Sequence, residues 1–143
     1  MNIRTREIQF SRYHPQNPKI VRADGPDGLW LVRDLIDGLT WNSLRTLVSC
    51  VSRQVGFGTD LVSLTYDDDL DDDETPFEGV RFEHAFEDDV LILSRAEMDD
   101  LFARFLETLL AGGRYKGVPE SVADWWPELR ARRDTIRART PCR

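Results

Sequence analysis

The sequence predicts an α+β fold: a single domain, residues 1–143, in which a small antiparallel sheet packs against several helices. Three observations support this prediction. The length of 143 residues and the apolar content of 41% suit one domain with its own core. Two short segments between residues 62 and 86 alternate apolar and polar side chains, as strands do, and a short apolar run follows at residues 90–93. Longer segments on either side repeat apolar side chains at three- and four-residue steps, as amphipathic helices do.

The chain before residue 29 is predicted to hold one strand and two irregular segments. Residues 3–10 place Ile3, Ile8 and Phe10 among polar positions, which suggests a first strand. The two prolines of residues 13–18 indicate a loop, and the Asp, Gly and Pro residues of the segment 24–28 indicate a second break.

Two helices are predicted next. Residues 29–38 have roughly helical apolar spacing and end on a glycine. Thr40 suits the N-cap of a second amphipathic helix of about four turns, which starts at Trp41. Gly56 or Gly58 would close that helix. Within it, Cys50 lies in an apolar run and is expected to be a buried small hydrophobe rather than half of a disulfide with Cys142.

The middle of the chain is predicted to form the sheet. Residues 62–66 and 80–86 alternate in a period of two, and residues 90–93 form a short apolar third strand after an acidic turn at 87–89. His84 shares the apolar face of the second of these strands, so we interpret it as a core histidine.

The last third of the chain is predicted to be helical. Ser94 and Glu97 form an S-x-x-E capping box at the start of a strong amphipathic helix over residues 95–111, which stops at two glycines. Pro119 suits the first position of a further helix, and Pro127 is expected to interrupt it. The arginines that follow are expected to form a solvated helix face, which can also pair with the acidic surface: Arg130, Arg132, Arg133, Arg137 and Arg139.

Acidic residues are concentrated in one stretch of the chain. Fifteen of the residues 67–100 are Asp or Glu and two are Arg, which leaves a net charge of −13 there, whereas the whole chain carries −7. Such a local field repels nucleic acid and anionic membranes and attracts cations or a cationic protein. The N-terminus lacks the apolar region of a signal peptide, and no apolar run approaches the ~20 residues needed to span a membrane. We therefore expect a soluble cytoplasmic protein.

Residues 67–74 hold seven acids in eight positions, which leaves three interpretations open. The first is a solvated loop that maintains solubility. The second is a protein-binding face, because the acids of this run and of the adjacent strands can merge into one surface if those strands pair. The partner-binding residues would then be Asp67, Asp68, Asp69, Asp71, Asp72, Asp73, Glu74, Glu78, Glu83, Glu87, Asp88 and Asp89.

The third interpretation is a calcium-binding module. The EF-hand ligand positions 1, 3, 5 and 12 would be occupied by Asp67, Asp69, Asp71 and Glu78. The match fails where Asp72 replaces the turn glycine and Glu74 replaces an apolar residue. Catalysis by paired acids is a further alternative, but no Ser/His/Asp or Cys/His signature accompanies them. We therefore expect no enzyme, no cofactor, no metal and no small-molecule substrate.

One part of the chain resembles a known family. The segment 77–83, the segment 87–94 and the helix that starts near Met98 resemble the core of the ribonuclease-toxin immunity proteins of bacterial contact-dependent growth inhibition. The shared order is a strand, an acidic turn, an apolar strand, a Ser/Glu-rich helix start and a long helix, over residues 62–111.

The resemblance implies a non-enzymatic protein that binds a cationic nuclease toxin. The acids would occupy the RNA-binding cleft of the toxin as a substitute for phosphates, and complementary potentials would speed association. Tight binding also needs buried side chains at the centre of the interface, from which water is excluded. Tyr66, Phe77 and Trp30 are the aromatic candidates for that centre.

Overall fold

A computed structural model describes residues 4–11, 21–111 and 120–139 of the chain. It contains six strands: β1 Gln9–Ser11, β2 Arg22–Asp24, β3 Phe57–Gly58, β4 Val62–Tyr66, β5 Val80–His84 and β6 Val90–Leu93. It contains four α-helices: α1 Trp30–Asp37, α2 Trp41–Arg53, α3 Arg95–Leu110 and α4 Trp126–Arg139. Short 3-10 helices cover Arg4–Glu7, Asp27–Leu29 and Glu120–Trp125. The predicted α+β class, with a small antiparallel sheet and several helices, is confirmed.

The main sheet has the strand order β3-β4-β5-β6, and each neighbouring pair is antiparallel. One face of the sheet is buried: its apolar side chains include Leu64, Phe82 and Leu93, each at most 3% exposed. The other face carries polar side chains on β4 and β5 and the exposed Val90 and Ile92 on β6. The helices therefore cover one side of the sheet, and the other side remains open.

Both predicted helix starts are confirmed. Thr40 and Ser94 each accept a hydrogen bond from the backbone N–H three residues later, and the Ser43 and Glu97 side chains each accept one from the backbone N–H of the cap residue. These capping boxes satisfy backbone donors that a helix leaves free at its first turn. Cys50 is buried, as expected.

The prediction of a strand over residues 3–10 was wrong in part. Residues 4–7 form a 3-10 helix, and β1 is paired with β2, a strand that was not predicted. A tertiary contact holds this segment: the Arg104 side chain reaches from α3 and donates to the backbone oxygens of Thr5 at 2.6 Å and Ile8 at 2.8 Å. No local pattern in residues 3–10 could have indicated that contact.

The end of α2 was also predicted at the wrong residue. Gln54 adopts the left-handed conformation that ends the helix, with φ 56°. Gly56 lies after the helix, where a Cβ would stand 2.9 Å from the backbone oxygen of Leu64. This glycine therefore permits the close approach of β3 to β4 instead of capping the helix.

Pro127 does not interrupt the last helix. It lies in the first turn of α4, where its missing N–H needs no partner. Trp126 is buried beside it, and Trp125 packs under the guanidinium of Arg45 at 4.8 Å. The predictions for residues 13–18, for Gly112-Gly113, for Pro119 and for Cys142 lie outside the described residues.

The arginines of α4 do not all form a solvated face, contrary to the prediction. Arg139 binds Asp99 of α3 at 3.0 Å and donates to the backbone oxygens of Ser52 at 2.8 Å and Val51 at 3.1 Å. These two oxygens belong to the last turn of α2, where the N–H of Gln54 also donates to the Val51 oxygen at 3.1 Å. A single side chain thus joins α2, α3 and α4, whereas Arg130 is exposed as predicted.

A second buried acid on α3 extends this network. Asp100 binds Arg104 of the same helix at 3.0 Å and Arg137 of α4 at 3.5 Å, and Arg137 also binds Glu107. Desolvation acts to lower the pKa of Arg137, but the hydrogen bond and the charge of Glu107 raise it overall. Asp99 and Asp100, with the buried Glu97 of the same helix, are therefore used inside the fold, and the outward negative field comes from the exposed acids of the segment 67–100.

Candidate functional site

The candidate site begins with the loop between β4 and β5, residues 67–79, which we call the acidic loop. Both ends of its acidic run are held by arginines. Asp67 binds Arg95 at 2.6 Å and accepts the backbone N–H of Gly79 at 2.7 Å. Glu74 binds Arg81 at 2.7 Å and accepts the N–H of Asp71 at 3.3 Å. The run is therefore an ordered loop with fixed ends.

The same contacts change the titration of the two anchoring acids. The hydrogen bond from Arg95, with a second from the Gly79 N–H, holds the pKa of Asp67 below its ordinary value of 3.8. The hydrogen bond from Arg81 likewise lowers the pKa of Glu74. In return, Asp67 raises the pKa of Arg95. Asp67 and Glu74 were predicted as partner-binding residues, but their carboxylates already bind cations of this chain.

The remaining acids of the loop face solvent. Asp68 is close to Arg95, at 3.4 Å, but its side chain is 68% exposed. The other exposed acids of the loop are Asp69, Asp71, Asp72, Asp73 and Glu78. Six carboxylates therefore project from a segment whose two ends are fixed to the fold.

A second acidic group lies at the turn between β5 and β6. Glu87, Asp88 and Asp89 are exposed, and Asp89 accepts a hydrogen bond from the indole N–H of Trp30 at 2.8 Å. Glu83 lies between the two groups, on the open face of β5, and pairs with Arg81 at 3.0 Å. The turn and the loop are thus both acidic and both accessible.

The two acidic groups do not merge into one continuous patch, contrary to the expectation from the sequence. Tyr66 pairs with Val80 where the acidic loop begins and ends, whereas Val62 pairs with His84 at the opposite end of the strands, beside the turn. The four residue steps of β5 between these ends correspond to about 13 Å. The open face of the sheet, which carries Arg81 and Glu83, separates the two groups.

The three aromatic candidates for a buried contact have different surroundings. Tyr66 is 1% exposed and belongs to the core, so it cannot contact a partner. Its burial, followed by the charge of Asp99, raises the pKa of its hydroxyl. Phe77 is half-buried with the guanidinium of Arg81 4.9 Å from its ring centre, and Trp30 is half-buried beside His84. The alternation over residues 80–86 would place Phe86 on the same inner face as His84, but β5 ends at His84 and Phe86 is 80% exposed.

The positions that matched an EF-hand are not arranged for calcium. Asp67, the first of them, points to Arg95 and to the Gly79 N–H. Among residues 4–11, 21–111 and 120–139, no three His, Cys, Asp or Glu side chains are grouped so that they could hold a metal ion.

A cleft of about 500 Å³ opens beside the acidic loop, next to Ile92 and the start of α3. Its cationic side chains are Arg4 and Arg95, and its acids include Asp67 and Glu78. Arg95 is paired with Asp67, and Arg4 is paired with Glu97 at 3.1 Å and donates to the backbone oxygen of Ile92. The cations of this cleft are therefore neutralised within the fold.

Comparison with known proteins adds no relative: no protein-family model matches the chain, and no curated protein or solved structure matches it at a significant level. In the part of the chain that the structure describes, no helix has the length and apolar character required to cross a membrane.

Replacing Asp67 with Asn is expected to lower the free energy of unfolding by about 1 kcal/mol at pH 7. Because the folded-state pKa of Asp67 is below its ordinary value of 3.8, its stabilisation is complete above that pH. It is lost as the pH falls through the folded-state pKa. Urea unfolding of the wild type and D67N at pH 7, 4 and 3 measures the difference.

The control for this prediction is D72N, which removes a charge from an exposed side chain of the same loop. We expect D72N to match the wild type within about 0.5 kcal/mol at every pH. A D67N deficit that stays constant from pH 7 to pH 3 would show that the lost carboxylate charge is not its cause.

Proposed function

We propose that this protein is a non-enzymatic immunity protein that acts in the cytoplasm. It binds and neutralises a cationic toxin domain, a ribonuclease, and its acidic loop faces the RNA-binding cleft of that toxin. The resemblance of residues 62–111 to immunity proteins of contact-dependent growth inhibition supports the same assignment.

The observation that carries this proposal is the anchoring of the acidic loop. A disordered acidic tail would have to be ordered when it binds, which costs free energy. Here the ion pairs Asp67–Arg95 and Glu74–Arg81 fix both ends of the run before any partner arrives. The exposed carboxylates between them are already gathered on one segment, at spacings within the Debye length of ~10 Å at 0.1 M salt.

This arrangement suits a cationic protein better than a polyanion. Like charges held close together repel one another, so keeping the aspartates of the loop adjacent costs free energy. A surface of Lys and Arg side chains, such as a nuclease uses to bind RNA phosphates, would relieve that repulsion. Complementary charge raises association rates by about 10- to 1,000-fold, and an inhibitor needs such speed to act before the toxin cuts RNA.

The proposal is tested with the reading frame directly upstream of the gene for this chain. We expect that frame to encode a large secreted protein with a toxic C-terminal domain. An equimolar amount of this protein is expected to abolish RNA cleavage by the purified C-terminal domain. Co-expression is expected to restore the growth of cells that produce it.

The matched control is an unrelated acidic protein of similar size and net charge, which should leave RNA cleavage unchanged. Cleavage that persists with an excess of this protein contradicts the proposal. An upstream frame that encodes no secreted protein also contradicts it.

A further inference from the structure

A second cleft, of about 320 Å³, is lined by residues of β2 and α1. Arg22 and Asp24 of β2 form one wall. The other wall is a single face of α1, because its residues are spaced three and four apart: Trp30, Arg33, Asp34 and Asp37. The volume is at the lower end of the range for small-ligand sites, about 300–1,000 Å³, so the cleft suits one side chain of a partner.

The two arginines of this cleft each have an acid of the same chain beside them. Arg22 binds Asp24 through two contacts, at 2.9 and 3.4 Å. Arg33 lies 3.7 Å from Asp27. These pairs offset the positive charge of the arginines, and the described residues that line the cleft include three aspartates against two arginines. An anionic ligand is therefore disfavoured.

Asp34 has no arginine partner in the cleft. Among the described residues, its carboxylate forms a charge contact only with Nε2 of His84, at 3.6 Å, and its side chain is 42% exposed. Nδ1 of His84 accepts a hydrogen bond from the N–H of Phe86 at 3.1 Å, so the proton of the neutral ring is on Nε2. A neutral imidazole carries no charge, and 3.6 Å is too long for a hydrogen bond. The cleft therefore presents an accessible carboxylate whose negative charge is not offset.

An aromatic ring lies beside this carboxylate. Trp30 and Asp34 are four residues apart on α1, and both line the cleft. The Trp30 indole N–H donates to Asp89 at 2.8 Å, and the indole ring packs against His84 at a centroid distance of 5.3 Å. The ring is held in place before any ligand arrives, so little conformational entropy is lost on binding.

A carboxylate next to a fixed indole ring is suited to bind a cation. The electron-rich face of an indole attracts a cation, and the carboxylate adds charge-assisted hydrogen bonds. A guanidinium group fits better than an ammonium group, because it is planar, stacks on aromatic rings and donates two parallel hydrogen bonds to a carboxylate. The chemistry of the cleft therefore favours an arginine side chain.

We propose that this cleft receives an arginine side chain of the cationic toxin domain, an inference that rests on the proposed function for the source of that arginine. The guanidinium stacks on Trp30 and pairs with Asp34. Because Trp30 is bound to Asp89, the cleft adjoins the acidic turn 87–89, at the end of the sheet opposite the acidic loop. A standard interface of about 800 Å² per partner is roughly 30 Å across, so one toxin domain can contact both ends.

The two ends of the sheet contribute to different rate constants. The acidic loop acts on the approach of the toxin, because charge acts over a distance and mainly raises the association rate. The cleft acts after contact, because the bound side chain must leave it before the complex dissociates. Loss of the cleft is therefore expected to raise the dissociation rate constant and to change the association rate constant little.

The first test needs no toxin, because the probe is N-acetyl-argininamide, whose only charge is the guanidinium. The NMR signal of the Trp30 indole N–H, assigned with W30F, is followed at pH 7 as the probe is added. We expect a saturable shift with a dissociation constant of about 10 mM or lower. D34N is expected to weaken binding at least about fivefold, whereas D124N, at an exposed acid outside the cleft, should change it less than about twofold.

Two further probes test the chemistry. N-acetyl-citrullinamide has nearly the same shape without the charge and should give no saturable shift. N-acetyl-lysinamide should bind at least about threefold more weakly than the arginine probe. An arginine probe without a saturable shift, equal binding of the citrulline probe, or wild-type affinity in D34N would overturn the cleft as a cation site and leave the proposed function standing. Equal or tighter binding of the lysine probe would overturn the choice of arginine.

The second test measures binding of the C-terminal domain of the upstream-encoded protein by surface plasmon resonance. D34N is expected to raise the dissociation rate constant at least about tenfold and to change the association rate constant less than about twofold, whereas D124N should change neither. Thermal unfolding establishes that each variant is folded. Wild-type dissociation of D34N would overturn the toxin as the source of the arginine and leave the proposed function standing. Absence of any wild-type binding would overturn the proposed function, and with it the toxin as that source.

Discussion

Replacing Arg139 with methionine is expected to lower the free energy of unfolding by about 2–3 kcal/mol. Methionine keeps most of the apolar stem but loses the hydrogen bonds to Asp99 and to the backbone oxygens of Val51 and Ser52. Among the described residues, Asp99 accepts from Arg139 alone, and its side chain is 6% exposed. The variant thus leaves a buried carboxylate without a cation and removes a donor from two carbonyls of the last turn of α2. Urea unfolding at pH 7 measures the loss.

The matched control for this prediction is R130M on the same helix. Arg130 is exposed, so R130M should stay within about 0.5 kcal/mol of the wild type. The double variant D99N/R139M is expected to lose less than the sum of the two single variants, because it no longer buries an unpaired charge. If R139M proves as stable as R130M, Arg139 does not join the three helices in the way described here.

Reversing three charges of the acidic loop, in D71K/D72K/D73K, is expected to slow association with the toxin domain at least tenfold at low ionic strength. The three side chains are exposed, and neither anchoring ion pair of the loop includes their carboxylates. The fold should therefore be retained while the local field changes sign. Stopped-flow fluorescence with the C-terminal domain of the upstream-encoded protein measures the rate constant.

The control variant E7K/D27K/D124K makes the same change in net charge on exposed residues outside the acidic loop. A local steering field predicts that this control slows association much less than the loop variant does. Equal effects of the two variants would mean that net charge alone governs association. An unchanged rate constant in the loop variant would contradict a steering role for the acidic loop.

The helices and strands with strong local signals could be predicted from the sequence. The capping box at Ser94 and the long apolar stripe behind it define α3, and the alternation of Val62, Leu64 and Tyr66 defines β4. The strand β1 could not be predicted well, because three residues hold too little pattern and Arg104 fixes the segment from far along the chain.

The buried acids of α3 were missed for a different reason. Asp99 and Asp100 lie near the start of a helix, where the macrodipole favours negative charge, so a local explanation was already sufficient. Their partners on α4 are more than thirty residues away, and ion pairs between helices leave no periodic signal in the sequence. For the same reason, the sequence did not indicate that Arg137 and Arg139 of α4 pair with these acids.

The sequence predicted the residue types of the candidate site but not how their side chains are paired. The sequence indicates where the acids lie, but not that arginines of this chain bind Asp67 and Glu74. The separation of the loop from the turn 87–89 could have been deduced, because consecutive antiparallel strands place successive connections at opposite ends of a sheet. The exposure of Phe86 depends on where β5 ends, and the boundary of a strand is poorly defined by its sequence pattern.

The most direct test of the account is the dependence of association on ionic strength. The rate constant between the wild-type protein and the upstream-encoded toxin domain is measured from about 0.02 to 0.5 M salt, where the Debye length shrinks from tens of ångströms to a few. Electrostatic steering by the acidic loop predicts a fall of at least about tenfold for the wild type and a much flatter curve for D71K/D72K/D73K, with the two rate constants converging at high salt. A wild-type rate constant that does not change with salt would contradict recognition through a concentrated acidic surface.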